Sequence, residues 1–317
     1  MNTERKLRAL AAAAFVALAA EAGAGCNGDL APAWKIQSFR LFGARIENLT
    51  RAATDPGVTE AAPNDRVRVT LDYVDPSTTP RTVDVAWLFC AQTTVGASGI
   101  GCAPGASSFV TGTSVEYAIP AIAYALDASS QPVINVLALA CAGGSVTFDP
   151  VARQPRCTGT NSESWAMTRS IVVRVRETNP PNHNPDIAGV YYTANGAPAA
   201  SATALPTDAP LHVPHCATDP CPLNGLDIRV TDGSREPATG FDLQGNVVTQ
   251  PERLQFGFFA DKGVIDNAFR VDTPATPSGP VRNTWSAPTT PGTVHFVFTA
   301  QDSRGGWALV RRDVIVD

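Results

Sequence analysis

The sequence predicts an all-β chain, two tandem β-sandwich domains behind a cleavable signal peptide. Three observations carry that prediction. Short apolar runs alternate residue by residue with polar ones, the period of a strand with one wet face. Past residue 26 no long stretch keeps an apolar face at helical spacing. Segments rich in Gly, Pro, Ser and Asp separate the runs, which suits sandwiches or barrels rather than βαβ units.

The chain opens with Arg5, Lys6 and Arg8, an apolar run from Ala9 to Ala20, and then small residues. That is the basic, apolar and small-residue order of a secretory signal, here residues 1–25. A spanning helix needs about 20 consecutive apolar residues, and Glu21 interrupts this run. Ala24, Gly25 and Cys26 resemble a bacterial lipobox, in which small residues precede a Cys that is lipidated and then exposed by a type II signal peptidase. Gly23 stands where that motif usually has an aliphatic residue, and ordinary signal cleavage near the same point is the alternative. The resemblance implies that Cys26 carries palmitate-type acyl chains and begins a tether, 26–34. Each buried methylene contributes about 0.8 kcal/mol, so several acyl chains make a lasting membrane anchor. Asn27 follows, not the Asp that retains lipoproteins at the inner membrane in the best-known sorting system, so the expected address is the outer membrane of a Gram-negative envelope.

The first sandwich is assigned to 35–178. Its strands are marked by Val67, Val69, Leu71 and Tyr73; by Val83, Val85, Trp87 and Phe89; by Val115, Tyr117 and Ile119; and by Ile171, Val173 and Val175. Trp87 is expected to fill its core. In "NPPNHNPDIAGV" the clustered Pro and Asn cannot continue a central strand, which sets a stiff linker at 179–186. The second sandwich, 187–317, shows the same alternation at Leu226, Ile228 and Val230, at Leu254, Phe256 and Phe258, and at Val294, Phe296, Phe298 and Ala300. The chain closes on two apolar runs flanking Asp302-Ser303-Arg304-Gly305-Gly306, a Gly-bearing hairpin connection.

Seven cysteines leave one thiol over in an exported protein, and setting Cys26 aside leaves an even set. Nearest neighbours in sequence are the chosen pairs: Cys90 with Cys102, Cys141 with Cys157, and Cys216 with Cys221. Each pair brackets a turn-rich stretch.

A strand, a Gly-Gly turn and a final strand is how many immunoglobulin-like domains end. Taken with "VDVAWLFC", "NHNPDIAGV", "TWSAP" and "TAQDSRGGWALVRRDVIV", the chain resembles a group of outer-membrane lipoproteins common in myxobacteria. The resemblance implies surface attachment and tandem immunoglobulin-like β-sandwiches. It brings no catalytic residue.

The candidate sites are few. "HVPHCATDPC" offers His212, His215, Cys216 and Cys221 as nitrogen and sulfur donors of the kind zinc takes, but the spacing fits no standard zinc pattern, and paired cysteines in an exported chain read first as a disulfide. Asp208, Asp219, Asp232 and Asp302 stand in loops without EF-hand spacing, and read as solvated turn residues. His183 falls in the linker and His295 on the outward face of its strand. No G-x-S-x-G, H-E-x-x-H or Walker pattern occurs. No catalytic residue, metal or cofactor is assigned. A net charge of −5 argues against nucleic acid as a partner. The expected function is a non-enzymatic envelope lipoprotein for binding, adhesion or scaffolding, with an envelope protein or polysaccharide as ligand. The alternatives are an exported enzyme or enzyme accessory acting on envelope polymers, and a periplasmic metal-handling protein using His212 and His215.

Overall fold

The computed structural model describes residues 31–91, 93–96, 99–102, 107–121, 132–149, 154–175, 180–241, 246–272 and 279–317. Each predicted alternating run falls on a strand, with Ile119, Val173, Val175, Val230 and Leu254 just outside the strand ends. β1 (Arg40–Asn48) and β2 (Arg66–Val74) pair antiparallel, and β3 (Val83–Cys90) crosses to the opposite sheet. β4 (Thr93–Gly96) and β5 (Gly99–Cys102) form a ribbon that ends at the Cys90–Cys102 bond. β6 (Ser107–Thr111) returns to β3, while β7 (Ser114–Ala118) pairs with β2. β8 (Val133–Ala142) lies between β3 and β11 (Glu163–Val172). A second ribbon, β9 (Ser145–Asp149) and β10 (Gln154–Thr158), is fastened to β8 by Cys141–Cys157. The sheets β1-β2-β7 and β11-β8-β3-β6 thus face each other as an immunoglobulin-like sandwich.

The inward residues of these strands meet in one core. Trp87, Phe39 and Phe89 are fully buried among Val67, Val69, Ile134 and Ile171. Phe89 stacks on Tyr117 with ring centres 4.2 Å apart. Trp87 Nε1 donates to the Gly112 carbonyl at 2.7 Å, which satisfies its polar end inside the core.

The second sandwich has two five-stranded sheets. One contains β12 (Gly189–Thr193), β13 (Thr203–Ala204), β15 (Asn224–Arg229), β19 (Val264–Ile265) and β21 (Val281–Ser286). The other contains β14 (Leu211–Val213), β18 (Gln255–Ala260), β20 (Phe269–Val271), β22 (Gly292–Gln301) and β23 (Trp307–Val316). β16 (Pro237–Phe241) and β17 (Val247–Pro251) form a separate ribbon. Trp285 packs edge-on against Phe296 at 5.0 Å, with Phe256, Phe258 and Phe298 completing an aromatic core. Cys216 is bonded to Cys221 just past β14.

One boundary differs from the expectation. The sequence assigns residues 26–34 to the tether and starts the first sandwich at 35, whereas Trp34 is buried in the second core. The segment pairs with β18, since Ala260 N donates to Trp34 O and Ile36 N to Ala260 O. Trp34 has too much apolar surface to leave in water, and the nearest open strand edge belongs to the second sandwich. The first core begins at Phe39.

Removing a fully buried Trp costs its transfer free energy plus the cavity left behind. Trp87→Ala is expected to lower the unfolding free energy by about 3–5 kcal/mol, read from the midpoint of denaturant unfolding. A loss under about 1 kcal/mol would contradict the packing described.

Candidate functional site: the junction of the two sandwiches

Among the described residues a cluster of chemistry-bearing side chains lies where the linker, the loop 302–306 and both sandwiches meet. It begins with Asn182. Its carbonyl accepts the backbone N–H of Thr59 at 2.8 Å, and its amide donates to Thr59 Oγ1 at 3.0 Å and Asp302 Oδ2 at 3.2 Å. Asn184 repeats the pattern, donating to the Ile46 carbonyl at 2.7 Å and accepting the Trp307 backbone N–H at 2.9 Å. Two linker asparagines therefore each bond to both sandwiches. The Asn184 amide donates and accepts at once, whereas the buried Asn182 amide only donates, its Oδ1 having no hydrogen-bond partner.

His183 stands between them, its Nε2 2.7 Å from Asp55 Oδ1 and its Nδ1 against Glu236 Oε1. Burial of the ring disfavours its charge, but the hydrogen bonds and negative charges of Asp55 and Glu236 outweigh that, and the His183 pKa is raised. Arg304 completes the cluster with Nε donating to Glu252 Oε1 at 2.9 Å and Nη2 to Glu236 Oε2 at 2.5 Å. Its Nη1 also reaches the Pro180 carbonyl at 3.3 Å. Burial opposes the charge on Arg304, yet the two glutamates raise its pKa. The Glu252 side chain is 1% exposed, so it needs that guanidinium.

Asp302 corrects the solvated-turn reading. It is buried, and its Oδ1 accepts the backbone N–H groups of Arg304 at 2.9 Å and Gly306 at 2.7 Å. Burial, with Glu252 nearby, raises its pKa. The other three aspartates, 208, 219 and 232, are exposed.

Apolar contacts extend the junction. Trp307 opens β23, and its Nε1 donates to Asp72 Oδ2 of β2 at 2.8 Å. Its ring lies on Gly43, where a Cβ would sit 2.4 Å from Trp307 Cε2. Pairing of β1 with β2 slips between Leu41 and Gly43, leaving Phe42 as the extra residue of a bulge. Phe42 meets Phe259 edge-on at 4.8 Å, with the Arg40 guanidinium 4.8 Å above the Phe259 ring. Ile36, Phe259 and Val297 are buried beneath this contact.

The sequence-nominated donors are engaged elsewhere. Cys216 and Cys221 are joined to each other, His212 Nδ1 lies 3.0 Å from the Asp317 carboxylate, and His215 Nδ1 lies 2.6 Å from the Asp317 carbonyl. His295 is exposed and 2.8 Å from Asp313. Among the described residues no group of three or more His, Cys, Asp or Glu is placed to hold a metal ion. Cys26 lies outside the described residues. Sequence reading passed over Arg304, Glu236, Glu252 and Asn184, because pairing between residues so far apart leaves no local pattern.

No protein-family model matches the chain, and no curated protein matches it. Among solved structures it is similar to dimeric latent PorU from Porphyromonas gingivalis, with 11% identity and a TM-score of 0.20 over 88% of this chain and 24% of that one. A β-glucuronidase from glycoside hydrolase family 2 gives 11% identity and a TM-score of 0.21 over 89% and 20%. The Yersinia pseudotuberculosis adhesin InvE gives 13% and 0.22 over 88% and 58%. The chain spans less than two thirds of the length of each.

Two outcomes follow from the junction. A raised His183 pKa means that its stabilising charge is fully present below the unfolded value, about 6.5, and is lost as pH rises through the folded one. Unfolding free energies of the wild type and His183→Gln should therefore differ most in mild acid and converge in alkali; a gap independent of pH would contradict the bridge. Arg304→Ala strands Glu252 as a buried, uncompensated charge, and should cost about 3–5 kcal/mol in the same measurement. A change below about 1 kcal/mol would show that the glutamates do not depend on it.

Proposed function

We propose that the chain is a non-enzymatic lipoprotein of the cell envelope, a rigid two-sandwich binding body held to a membrane by acyl chains on Cys26. The observation that carries the reading is the junction itself. Of the groups best suited to acid–base chemistry, His183 ties Asp55 of one sandwich to Glu236 of the other, and Arg304 is engaged by Glu236 and Glu252. A body fastened in this way presents its outer strand faces and loops in a fixed relation, which favours recognition of an extended envelope polymer or a protein partner. Three local disulfides suit the oxidising compartment to which the N-terminal signal directs the chain. Among the described residues no helix is long and apolar enough to cross a membrane. Acylation at Cys26 supplies the attachment in this reading, and the outer membrane of a Gram-negative cell is the proposed address.

The test combines attachment with capture. Metabolic labelling with palmitate should tag the wild type and not Cys26→Ser, and the variant should move from the membrane fraction to the soluble one. A labelled, membrane-bound Cys26→Ser protein would refute the tether. Pull-down from detergent-solubilised envelopes should recover the same protein or polysaccharide with the wild type and with Cys26→Ser. Hydrolysis of envelope polymers by the purified chain would overturn the non-enzymatic reading.

A further inference from the structure

The outer face of the sheet holding β12, β15 and β21 carries a hollow of about 490 Å³. That volume lies within the range of about 300–1,000 Å³ common to small-molecule sites. Its floor is β15. Leu226 and Ile228 of that strand point into the core, so Gly225 and Asp227 face outward, as strand alternation requires. Pairing puts Thr193, Gly225 and Thr284 in one row across the sheet, and Tyr191, Asp227 and Arg282 in the next. The hollow exists because Gly225 has no side chain; a Cβ there would meet the Thr193 Cβ at 3.3 Å. The turn after β12 and the exposed Leu223 form one wall, and Arg270, Arg282 and Thr284 the other.

Charge is distributed unevenly in this space. The Asp227 side chain is 4% exposed although it belongs to an outer face, and its ion pair is a long one, 3.4 Å from Nε of an Arg282 that is 57% exposed. A carboxylate offers about four acceptor positions. Buried carboxylates ordinarily fill these with donors, and the side-chain donor at Asp227 is the exposed Arg282. Burial raises its pKa despite Arg282 and Arg229 nearby. On the opposite wall Arg270 binds Asp266 through Nη2 at 2.7 Å, while its buried Nε has no hydrogen-bond partner. Arg229 lies over the Tyr191 ring at 3.9 Å.

We infer that this hollow binds an acidic saccharide unit, a hexuronate whose hydroxyls donate to Asp227 and whose carboxylate is taken by Arg282 and Arg270. The chemistry of the walls selects that class. Guanidinium groups bind carboxylates through paired N–H donors, the carboxylate at the floor has acceptor positions for hydroxyl hydrogens, and Leu223 at the rim offers an apolar contact to a sugar ring. Thr193 and Thr284 add two hydroxyls on either side of the glycine gap. A neutral sugar brings no anion to the exposed Arg282 or the unpaired Arg270 Nε, and a bare carboxylate brings no hydroxyl donors to Asp227. The inference rests on the binding-body reading and names its ligand class.

Isothermal titration calorimetry on the purified full chain in detergent tests it, with a glucuronate-ended disaccharide and its neutral glucose counterpart as probes. The acidic probe should bind at least tenfold more tightly than the neutral one. Arg282→Gln, an exposed change that leaves the core intact, should bring the two probes level. Gly225→Ala should weaken both at least tenfold while leaving the thermal midpoint within a few degrees of the wild type. Absence of heat with the acidic probe at millimolar concentration, equal affinity for the two probes, or unchanged affinity in both variants would overturn the inference. These outcomes read the hollow alone, whereas palmitate labelling and envelope capture read the tether and the binding role. A failed titration beside successful capture would sink the uronate site and leave the broader reading standing.

Discussion

The structure depends on the satisfaction of buried polar groups where the two sandwiches meet. Each sandwich has an aromatic core of its own, and neither core reaches the other. Between them lie Asn182, Asp302 and Glu252, all withdrawn from water, along with the partly buried His183, Glu236 and Arg304. Groups of this kind are costly without partners, and they bond to one another here with the Asn182 Oδ1 as an exception. Separating the sandwiches would leave the Thr59 backbone N–H, the His183 imidazole and the Trp307 indole to find new partners together. That shared requirement converts a Pro-rich connection into a rigid joint.

The apolar part of the joint follows from a local irregularity. A regular β1 would turn Phe42 according to strand alternation, but the bulge at this residue breaks the pairing with β2 and Phe42 meets Phe259 instead. Gly43, next in sequence, leaves room for the Trp307 ring. Segments far apart in sequence take part: Trp34 and Ile36 precede β1, and β23 lies beside β14. Sheet faces far from the joint are left free, including the face with Asp227 and the four-stranded face where Leu137 and Phe109 are exposed.

The architecture was legible in the sequence because strand alternation is a local signal. Val67 to Tyr73, Val83 to Phe89 and Val294 to Ala300 announce β2, β3 and β22 through spacing alone, and Trp87 sits in the core where a Trp on such a strand is expected. The hairpin around Gly305-Gly306 was visible for the same reason. The joint was not. Asp302 looks like any acid in a Gly-bearing turn, and its burial depends on Asn182, some 120 positions away. Trp34 resembles a tether residue until β18 is seen to offer an open edge. The hollow above Gly225 depends on a register among three strands that no single stretch of sequence encodes.

The central claim is that the sandwiches behave mechanically as one unit through this polar joint. Differential scanning calorimetry of the purified chain with its disulfides intact tests it most directly. The expected result is one cooperative transition whose calorimetric and van't Hoff enthalpies agree, and its separation into two when His183 and Trp307 are both replaced by alanine. Two independent transitions in the wild-type chain would contradict the account.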